Sequence, residues 1–330
     1  MNTEFDFIAI GDVVTDAFIR LKDAAVNCDI NREHCMISMR FADKIPYENV
    51  YVIPAVGNSA NAAVSAARLG LKTAFVSNIG NDTWGKECLD ALTTERIDTQ
   101  FIKANDGKKT NYHYVLWYED DRTILIKHED YDYELPTIKS PKWVYVSSAG
   151  EKSMQFHQDL EKYLNEHPEI QLAFQPGTFQ MKNTQTLLGL YKRTNLFICN
   201  KEEYQRILKT QEEDIKKLMD MMVQMGPKMV VLTDGPKGAY LREKSGEYWF
   251  MPPYPDPKPP YERTGAGDAF SSTLTAALAL GMSPREAIMW GPINSMSVVQ
   301  YVGAREGLLS REKLEEFLKN APENYKPKNI

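Results

Sequence analysis

The sequence has few residues of the kinds that build disulfide scaffolds and metal sites. It contains four cysteines and five histidines among 330 residues. No two cysteines form a Cys-x-x-Cys pair, and the histidines lack the spacing of metal ligands. These absences argue against a disulfide-rich domain and a zinc site. They favour buried or free thiols in a reducing compartment for all four cysteines, which are Cys28, Cys35, Cys88 and Cys199.

An excess of basic residues is also missing, as is any long apolar run. Thirty-nine lysines and arginines stand against 45 acidic residues, so the formal net charge is −6. A general nucleic-acid binder needs a basic face that displaces counterions, so we expect no nucleic-acid partner. No apolar run approaches the length of a membrane span, and the acidic N-terminus lacks the regions of a signal peptide. We therefore expect a cytoplasmic protein with no membrane partner.

Alternating strands and helices are what the sequence does contain. The chain is 43% hydrophobic, which is enough for a large core. Short apolar strands alternate with helices from residue 5 onwards, an order typical of a parallel sheet covered by helices on both faces. Segments 17–54 and 110–128 interrupt this order with short strands, which predicts a flap beside the sheet. No linker divides the chain, so we expect a single domain over residues 1–330.

The turn Gly265-Ala266-Gly267-Asp268 opens an apolar helix that is predicted to end near Gly281. Glycine lacks Cβ, so the backbone of this turn can approach a ligand closely. The unpaired N–H groups at such a helix start suit phosphate oxygens. Asp268 has two interpretations. It is either a helix-start residue stabilised by the helix dipole, or a base that takes a proton from a hydroxyl beside a moving phosphoryl group.

Polar residues follow several predicted strands, where open α/β sheets place ligand groups. Asp12 and Asp16 follow the first strand. Asn200 and Glu203 lie at a strand-to-helix junction, where they form either a helix N-cap or a pair that holds water around Mg²⁺. The glycine-containing segment from Thr233 onwards is either an ordinary turn or a wall of a nucleotide pocket.

One glycine motif is misleading. Residues 80–86 match the phosphate-binding pattern Gly-x-x-x-x-Gly-Lys. The next residue is Glu87, where that pattern requires Ser or Thr for Mg²⁺, so we reject a phosphate-binding loop of this type. Asp82 as the N-cap of the following helix explains the turn.

Taken in order along the chain, these motifs resemble the PfkB, or ribokinase-like, family of carbohydrate and nucleoside kinases from about residue 7 to residue 318. The strongest match is Arg-Thr-Gly-Ala-Gly-Asp at residues 263–268, against the family's Asp-Thr-x-Gly-Ala-Gly-Asp. The resemblance implies a three-layer α/β sandwich with a mostly parallel central sheet. It also implies a small β-sheet lid from segments 17–54 and 110–128. The implied activity is Mg²⁺-assisted transfer of the γ-phosphoryl group of ATP to a hydroxymethyl group of a small sugar.

The resemblance also assigns roles to individual residues. In that assignment Asp268 is the base, and Gly265, Ala266 and Gly267 form the anion hole. The acceptor hydroxyls are held by Asp12, Asp16, Gly57 and Asn61. The nucleotide lies against Asn200, Thr233, Gly235, Gly238 and Asn294, and Glu203 organises Mg²⁺ through water.

Two departures from the family pattern affect these implications. Glu262 stands where members that need a monovalent cation have an aspartate, so the sequence leaves K⁺ activation open. Val56 precedes Gly57 where the family has a second glycine, at the expected hinge of the lid.

The acceptor and the assembly have alternatives as well. Tyr112, Tyr114 and Trp117 in the lid either pack in a half-buried strand or stack on a base, so a ribonucleoside is the alternative to a sugar. A non-catalytic sugar or nucleotide sensor on the same fold is the third interpretation. Exposed strand edges in the lid favour a homodimer formed through it.

Overall fold

The structure is a computed structural model that describes residues 4–28, 35–119 and 121–330. Within these ranges the chain alternates between strands and helices. The strands are β1 (Phe7–Ile10), β2 (Val14–Leu21), β3 (Ala25–Asn27), β4 (Met36–Ser38), β5 (Tyr47–Val56), β6 (Thr73–Gly80), β7 (Ile102–Asn105), β8 (Asn111–Tyr118), β9 (Asp121–Leu125), β10 (Trp143–Val146), β11 (Gln171–Phe174), β12 (Leu196–Asn200), β13 (Met229–Thr233), β14 (Ala239–Arg242), β15 (Tyr248–Met251) and β16 (Lys328–Asn329). The helices are α1 (Asn58–Arg68), α2 (Thr83–Thr94), α3 (Met154–Glu166), α4 (Thr178–Lys182), α5 (Leu188–Arg193), α6 (Lys201–Leu208), α7 (Ile215–Gln224), α8 (Ala266–Ala279), α9 (Pro284–Val298) and α10 (Arg311–Lys319).

Ten strands form one sheet in the order β16-β15-β14-β13-β12-β11-β10-β1-β6-β7. The strands from β13 to β7 in this order are parallel. β14, β15 and β16 are added antiparallel at one edge. Alternate residues of β1 enter different apolar clusters, with Phe7 and Ala9 on one face and Ile8 and Ile10 on the other. The sheet is therefore buried on both faces, as the continuous apolar strands predict.

Helices cover both faces of this sheet and complete three layers. Phe270 of α8 and Trp290 of α9 belong to one apolar cluster, while Leu160 of α3 and Tyr204 of α6 belong to the other. Burying a large apolar side chain in this way stabilises the fold by about 1.5–3 kcal/mol. The helices leave the carboxyl ends of the strands open for polar groups. Within the described ranges, no helix has the length and apolar character needed to cross a membrane.

A smaller sheet is formed by strands β5-β2-β8-β9 in that order. β2 pairs antiparallel with β5 and parallel with β8, and β8 and β9 form a hairpin. β3 and β4 pair separately as a two-stranded ribbon. The strands of segments 17–54 and 110–128 thus come together in one sheet except for β3 and β4, and the expected α/β architecture is confirmed.

Some elements differ from the sequence prediction. Helix α8 begins at Ala266, so the last three residues of the turn already belong to the helix and do not precede it. β7, α4 and α5 were not predicted. β7 is a four-residue edge strand with an exposed, partly charged sequence, and the two helices have only five and six residues, too few for a clear helical period. The predicted N-cap role of Asp82 is confirmed, because its side chain accepts a hydrogen bond from Gly85 N.

The cysteines only partly follow the prediction. Cys88 and Cys199 are free and buried, as expected. Cys28 and Cys35, however, form a disulfide between β3 and β4, so the prediction of thiols at these two positions is wrong. Their spacing of seven residues in a loop-rich segment does not reveal that the β3–β4 ribbon brings them together.

Candidate active site

A cleft lies where the carboxyl ends of the parallel strands face the small sheet. Its volume is about 410 Å³. Asp12 follows β1, Gln175 follows β11, and Asn200 and Thr233 are the last residues of β12 and β13. Side chains of β8 and β9 form the opposite wall. Most of the predicted site residues line this cleft, namely Asp12, Asp16, Gly57, Asn61, Asn200, Glu203, Thr233, Gly265, Ala266, Gly267 and Asp268.

The glycine turn forms one end of the cleft. Gly265 is the N-cap of α8 and has a left-handed φ of 82°. A Cβ on Gly265 would lie 2.3 Å from the Cβ of Ala304, so no side chain fits there. A Cβ on Gly267 would have no neighbour within 4 Å. Because the first N–H groups of a helix have no intrahelical partner, the turn presents backbone donors to the cleft.

Asp268 lies in the first turn of α8 and is held by two side-chain amides. Asn61 Nδ2 donates to Oδ2 across 2.9 Å, and Gln175 Nε2 donates to Oδ1 across 3.3 Å. Gln175 in turn accepts a hydrogen bond from the Tyr145 hydroxyl. Burial raises the pKa of Asp268 to about 6, although both amide hydrogen bonds oppose the rise. The carboxylate is therefore oriented, and its pKa is suited to accepting a proton near neutral pH.

Two carboxylates at the other end of the cleft each face an imidazole. The Tyr133 hydroxyl donates to Asp12 Oδ1 across 2.8 Å, and His128 Nδ1 lies 2.9 Å from Asp12 Oδ2. His113 Nδ1 lies 3.4 Å from Asp16 Oδ1. Burial raises the pKa of Tyr133 strongly, and the negative charge of Asp12 adds to this effect. These groups form a polar wall that suits a ligand with several hydroxyl groups.

Gly57 and Asn61 place the start of α1 beside Asp12. Gly57 is the N-cap of α1 with φ of 108°, and a Cβ there would lie 3.0 Å from the Asp12 carbonyl oxygen. Asn61 is 2% exposed, and its Oδ1 has no hydrogen-bond partner among the described residues. The wall of the cleft therefore contains an unused acceptor next to Asp268.

Asn200 and Glu203 form a capping box at the start of α6. Asn200 Oδ1 accepts from Glu203 N across 2.8 Å, and Glu203 Oε2 accepts from Asn200 N across 3.0 Å. The helix N-cap interpretation of this pair is confirmed, and both residues also line the cleft. Burial raises the pKa of Glu203. Thr233 is next to them, because Asn200 and Thr233 are paired across β12 and β13.

Three predicted nucleotide residues lie outside the cleft. Gly235 is in an exposed turn after β13, and Gly238 has a φ of 105° at the end of this turn. Asn294 is 0% exposed in the core. Its amide donates to Thr273 Oγ1 across 2.7 Å, and its Oδ1 accepts from Leu309 N across 2.9 Å. The structure therefore does not bring Asn294 to the cleft, because its side chain joins α9 to neighbouring segments inside the core.

The aromatic residues considered for stacking on a base do not line the cleft. Tyr114 is 50% exposed, while Trp117 is 1% exposed within the small sheet. Tyr112 packs against Trp84, with ring centroids 4.9 Å apart. The packing interpretation of these three residues is therefore the one that the structure supports.

Several residues of the cleft were not predicted. Gln175 follows a predicted strand just as Asp12 does, so the same rule would have found it. His113 alternates with Tyr112 and Tyr114 along β8, so the strand period of two places it on the other face. Others come from segments without a sequence motif, among them Arg122, His128 and Phe179.

Comparisons with known protein families and proteins agree with this architecture. The family model described as pfkB family carbohydrate kinase matches residues 33–311. The chain is 24% identical over 303 residues to the 5-dehydro-2-deoxygluconokinase of Clostridium perfringens, and the match covers 82% of this chain and 85% of that protein. It is 25% identical over 313 residues to the ribokinase of Haemophilus influenzae, and the match covers 91% of this chain and 99% of that protein.

Solved structures share the fold at low sequence identity. The ribokinase of Arabidopsis thaliana complexed with ribose and ATP has a TM-score of 0.75 and 18% identity, and the match covers 95% of this chain and 98% of that chain. The ribokinase of Thermotoga maritima has a TM-score of 0.75 and 18% identity, with 95% and 99% covered. The nucleoside kinase of Methanocaldococcus jannaschii has a TM-score of 0.75 and 16% identity, with 95% and 98% covered.

Proposed function

The chain belongs to the pfkB family of carbohydrate kinases, and we propose on this basis that it transfers the γ-phosphoryl group of ATP to a hydroxymethyl group of a small sugar. The observation that carries the proposal is the placement of Asp268. It lies in the first turn of the helix that the glycine turn opens, is held by Asn61 and Gln175, and has its pKa raised to about 6 by burial. A base with this pKa is mostly ionised at neutral pH and still accepts a proton readily.

In the proposed reaction, Asp268 accepts the proton of the acceptor hydroxyl. The hydroxyl oxygen forms a bond to the γ-phosphorus while the bond between that phosphorus and the ADP oxygen breaks. The two oxygens are in line, as in other phosphoryl transfers. Asn61 and Gln175 keep the carboxylate directed at the acceptor, so the Asp268 side chain does not have to reorient during the reaction.

The turn Gly265-Ala266-Gly267 stabilises the negative charge that develops on the transferred group. Its backbone N–H groups lie at the positive end of the α8 dipole. Donors that are fixed before the reaction need no reorganisation in the transition state, which is why such an arrangement lowers the barrier. The missing Cβ at Gly265 is needed for packing against Ala304.

Asp12, Asp16, Gly57 and Asn61 hold the acceptor in this proposal. Asp12 and Asp16 offer carboxylate oxygens, and Asn61 Oδ1 has no partner among the described residues. Hydroxyl groups donate to such oxygens and accept from neighbouring N–H groups, so a polyhydroxylated ligand matches this wall. Gly57 allows the start of α1 to lie against Asp12.

The nucleotide lies in this proposal on the side of the cleft formed by Asn200 and Thr233, and it extends from there towards the turn at Gly235 and Gly238, which follows β13 outside the cleft. We infer ATP as the phosphoryl donor from the family. The Arabidopsis thaliana ribokinase structure that contains ribose and ATP supports this choice of donor. When bound, Mg²⁺ neutralises charge on the phosphates. Asn200 and Glu203 fit a role in its hydration shell, since both residues line the cleft and the capping box uses only part of their oxygen lone pairs.

The small sheet is the lid in this proposal, within a single domain over residues 1–330. It covers the side of the cleft opposite the strand ends, through His113 and Arg122. A closed lid excludes water, so that ATP is transferred to the acceptor and is not hydrolysed.

The outer face of the lid is the proposed contact of a homodimer. Val52, Ala17, Tyr114 and Leu125 lie side by side across its four strands. Val52, Tyr114 and Leu125 are 43%, 50% and 51% exposed. Ala17 is buried between Val52 and Tyr114, so the row exposes three apolar side chains, and exposed apolar side chains grouped on a sheet surface favour a contact with another molecule.

A phosphorylation screen tests the proposed function. Purified protein is incubated with Mg²⁺-ATP and a panel of pentoses, hexoses, sugar acids and ribonucleosides, with and without K⁺, while ADP release and product mass are followed. We expect ADP release that depends on a sugar, with a product one phosphoryl group heavier. A ribonucleoside as the best acceptor would replace the sugar assignment, although no aromatic residue considered for base stacking lines the cleft. Sugar and ATP binding without turnover would identify a non-catalytic sensor.

A further inference from the structure

Glu262 is a fully buried carboxylate just before the glycine turn. Its side chain is 0% exposed. Oε1 accepts hydrogen bonds from Thr264 N and Thr264 Oγ1 at 2.7 and 2.6 Å, and Oε2 accepts from Gly303 N at 3.3 Å. All three donors are neutral, so they leave the charge of Glu262 uncompensated. A buried charge is costly unless a counter-charge lies beside it.

Arg122 places a positive charge beside this carboxylate. It belongs to β9 of the lid, and its Nε lies 3.8 Å from Glu262 Oε1. This Nε has no hydrogen-bond partner among the described residues. Arg122 Nη1 lies 3.2 Å from Asp121 Oδ1, whose side chain is 74% exposed. In the part of the chain that the structure describes, Glu262 forms no ion pair with any other residue.

A bound K⁺ would be the other way to compensate Glu262. The surroundings do not fit K⁺ while Arg122 is in place, because its guanidinium approaches Oε1 from the side on which a cation would have to lie. A hard cation needs several oxygen ligands that are free to turn towards it. The guanidinium of Arg122 needs no such set of oxygen ligands, because it is covalently attached to the lid and is carried to Glu262 by β9.

We propose that Arg122 is a positioning residue that compensates the charge of Glu262 when the lid closes, and that this pair links lid closure to the shape of the anion-binding turn. The inference rests on the proposed function, which gives the lid and the turn their roles. It implies that the enzyme works without a monovalent cation. It also implies that an open lid leaves Glu262 without its counter-charge, so that the closed form is favoured.

The link from Glu262 to the turn runs through both sides of Gly265. Thr264, which donates twice to Glu262, directly precedes Gly265. Gly303, which donates to the other oxygen, directly precedes Ala304, and Ala304 packs against Gly265. If Glu262 moves towards water, both segments move with it. A misplacement of about 1 Å in such a site is enough to lower a rate by about 10²-fold.

The test replaces the lid arginine and supplies a cation in solution. Arg122→Ala removes the counter-charge, and Arg122→Lys keeps it. Arg20→Ala is the matched control, since Arg20 is also a lid arginine but pairs with exposed Glu48 and stacks on Trp117. Melting temperature and turnover are measured in KCl and in tetramethylammonium chloride at equal ionic strength. Tetramethylammonium is too large to occupy the space that Arg122→Ala leaves beside Glu262, whereas K⁺ is small enough to enter it.

We expect wild-type protein, Arg122→Lys and Arg20→Ala to respond equally to the two salts. Arg122→Ala is expected to melt about 2–4 °C lower in tetramethylammonium and to recover at least half of this loss in K⁺. Its turnover should fall on the order of tenfold or more and recover in K⁺ in the same way. In an Arg122→Ala, Glu262→Gln double variant the K⁺ response should disappear, because no buried charge remains.

Two results with the arginine variant would overturn the inference. One is an Arg122→Ala variant whose melting temperature and turnover match wild type in tetramethylammonium. The other is a loss that K⁺ does not reverse. Melting temperature requires no substrate, so the inference is tested even if the phosphorylation screen finds no acceptor. A wild-type enzyme that turns over but requires K⁺ would contradict the inference and leave the proposed function intact.

Discussion

The side-chain amide of Asn61 donates a 2.9 Å hydrogen bond to Oδ2 of Asp268, and so joins the first turn of α1 to the first turn of α8. Gln175 makes a longer bond of 3.3 Å to the other oxygen. Both bonds stabilise the ionised form of Asp268, whereas burial stabilises the neutral form and has the larger effect. The balance between the hydrogen bonds and burial sets the pKa of Asp268, and therefore the pH above which the proposed base is ionised.

Replacing Asn61 by alanine should therefore change the pH dependence of turnover. Without this donor the pKa of Asp268 rises further above its ordinary value, so the base becomes protonated at higher pH. We expect the acid limb of a kcat-pH profile to move upwards by about 1–2 pH units, since one hydrogen bond to a charged group is worth roughly that much. Asn105→Ala, which removes an amide far from the cleft, is the control. An acid limb at the wild-type position would show that Asn61 does not tune the base.

The stability of the protein should also depend on Asp268. Burial raises the pKa of this carboxyl to about 6 in the folded state, from an ordinary value of 3.8. The folded state therefore binds the proton more tightly, and Asp268 lowers stability as the pH rises from about 4 to about 6. We expect Asp268→Asn to melt higher than wild type at pH 7.5 and to lose this advantage at pH 4. If the melting temperatures of Asp268→Asn and wild type differed by the same amount at pH 7.5 and at pH 4, the raised pKa of Asp268 would be contradicted.

The two glycines of the turn should respond differently to substitution. Gly265→Ala forces a Cβ to within 2.3 Å of the Ala304 Cβ at a φ of 82°, whereas a Cβ on Gly267 meets nothing within 4 Å. Strain at such a position costs about 1–3 kcal/mol. We expect a melting temperature several degrees lower for Gly265→Ala and little change for Gly267→Ala. Thermal unfolding of the two variants side by side checks this, and equal losses would show that Gly265 is not constrained as described.

The oligomeric state should depend on the outer face of the lid. Val52→Asp combined with Tyr114→Asp places two charges in its apolar row, so a dimer formed there should separate. Ile330→Asp is the control, because Ile330 is 42% exposed but lies outside the lid. Light scattering should give a dimer for wild type and Ile330→Asp and a monomer for the double variant. A monomeric wild type across working concentrations would exclude the proposed dimer.

The residues at the strand ends were predictable from sequence because a parallel sheet places them together. Asp12, Asn200 and Thr233 follow or end apolar strands, so their meeting at one sheet edge depends only on the fold class. The glycine turn and Asp268 were predictable for a local reason, because glycines and an aspartate between an extended segment and an apolar run are typical of a helix start. What sequence reasoning supplied was the part of the site that the main sheet fixes.

The opposite wall was not predictable, because it depends on pairing between distant segments. The contact of His113 with Asp16 follows from the parallel register of β2 and β8, and no local spacing specifies that register. Arg122 meets Glu262 only because the β8–β9 hairpin folds back over the cleft. Asn294 was placed in the cleft by resemblance, but its burial depends on partners in α8 and near α10 that a motif does not show.

Turnover by Asp268→Asn tests the central claim most directly. Asparagine keeps the size of the side chain and one acceptor oxygen for the amides that hold it, but it cannot take up the proton. With the best acceptor from the screen, coupled ADP-release kinetics should show kcat lowered by about 10²-fold or more. Calorimetry should show ATP binding within about twofold of wild type, because Asp268 is assigned to the acceptor proton and not to the nucleotide. Turnover close to wild type would contradict the assignment of Asp268 as the base.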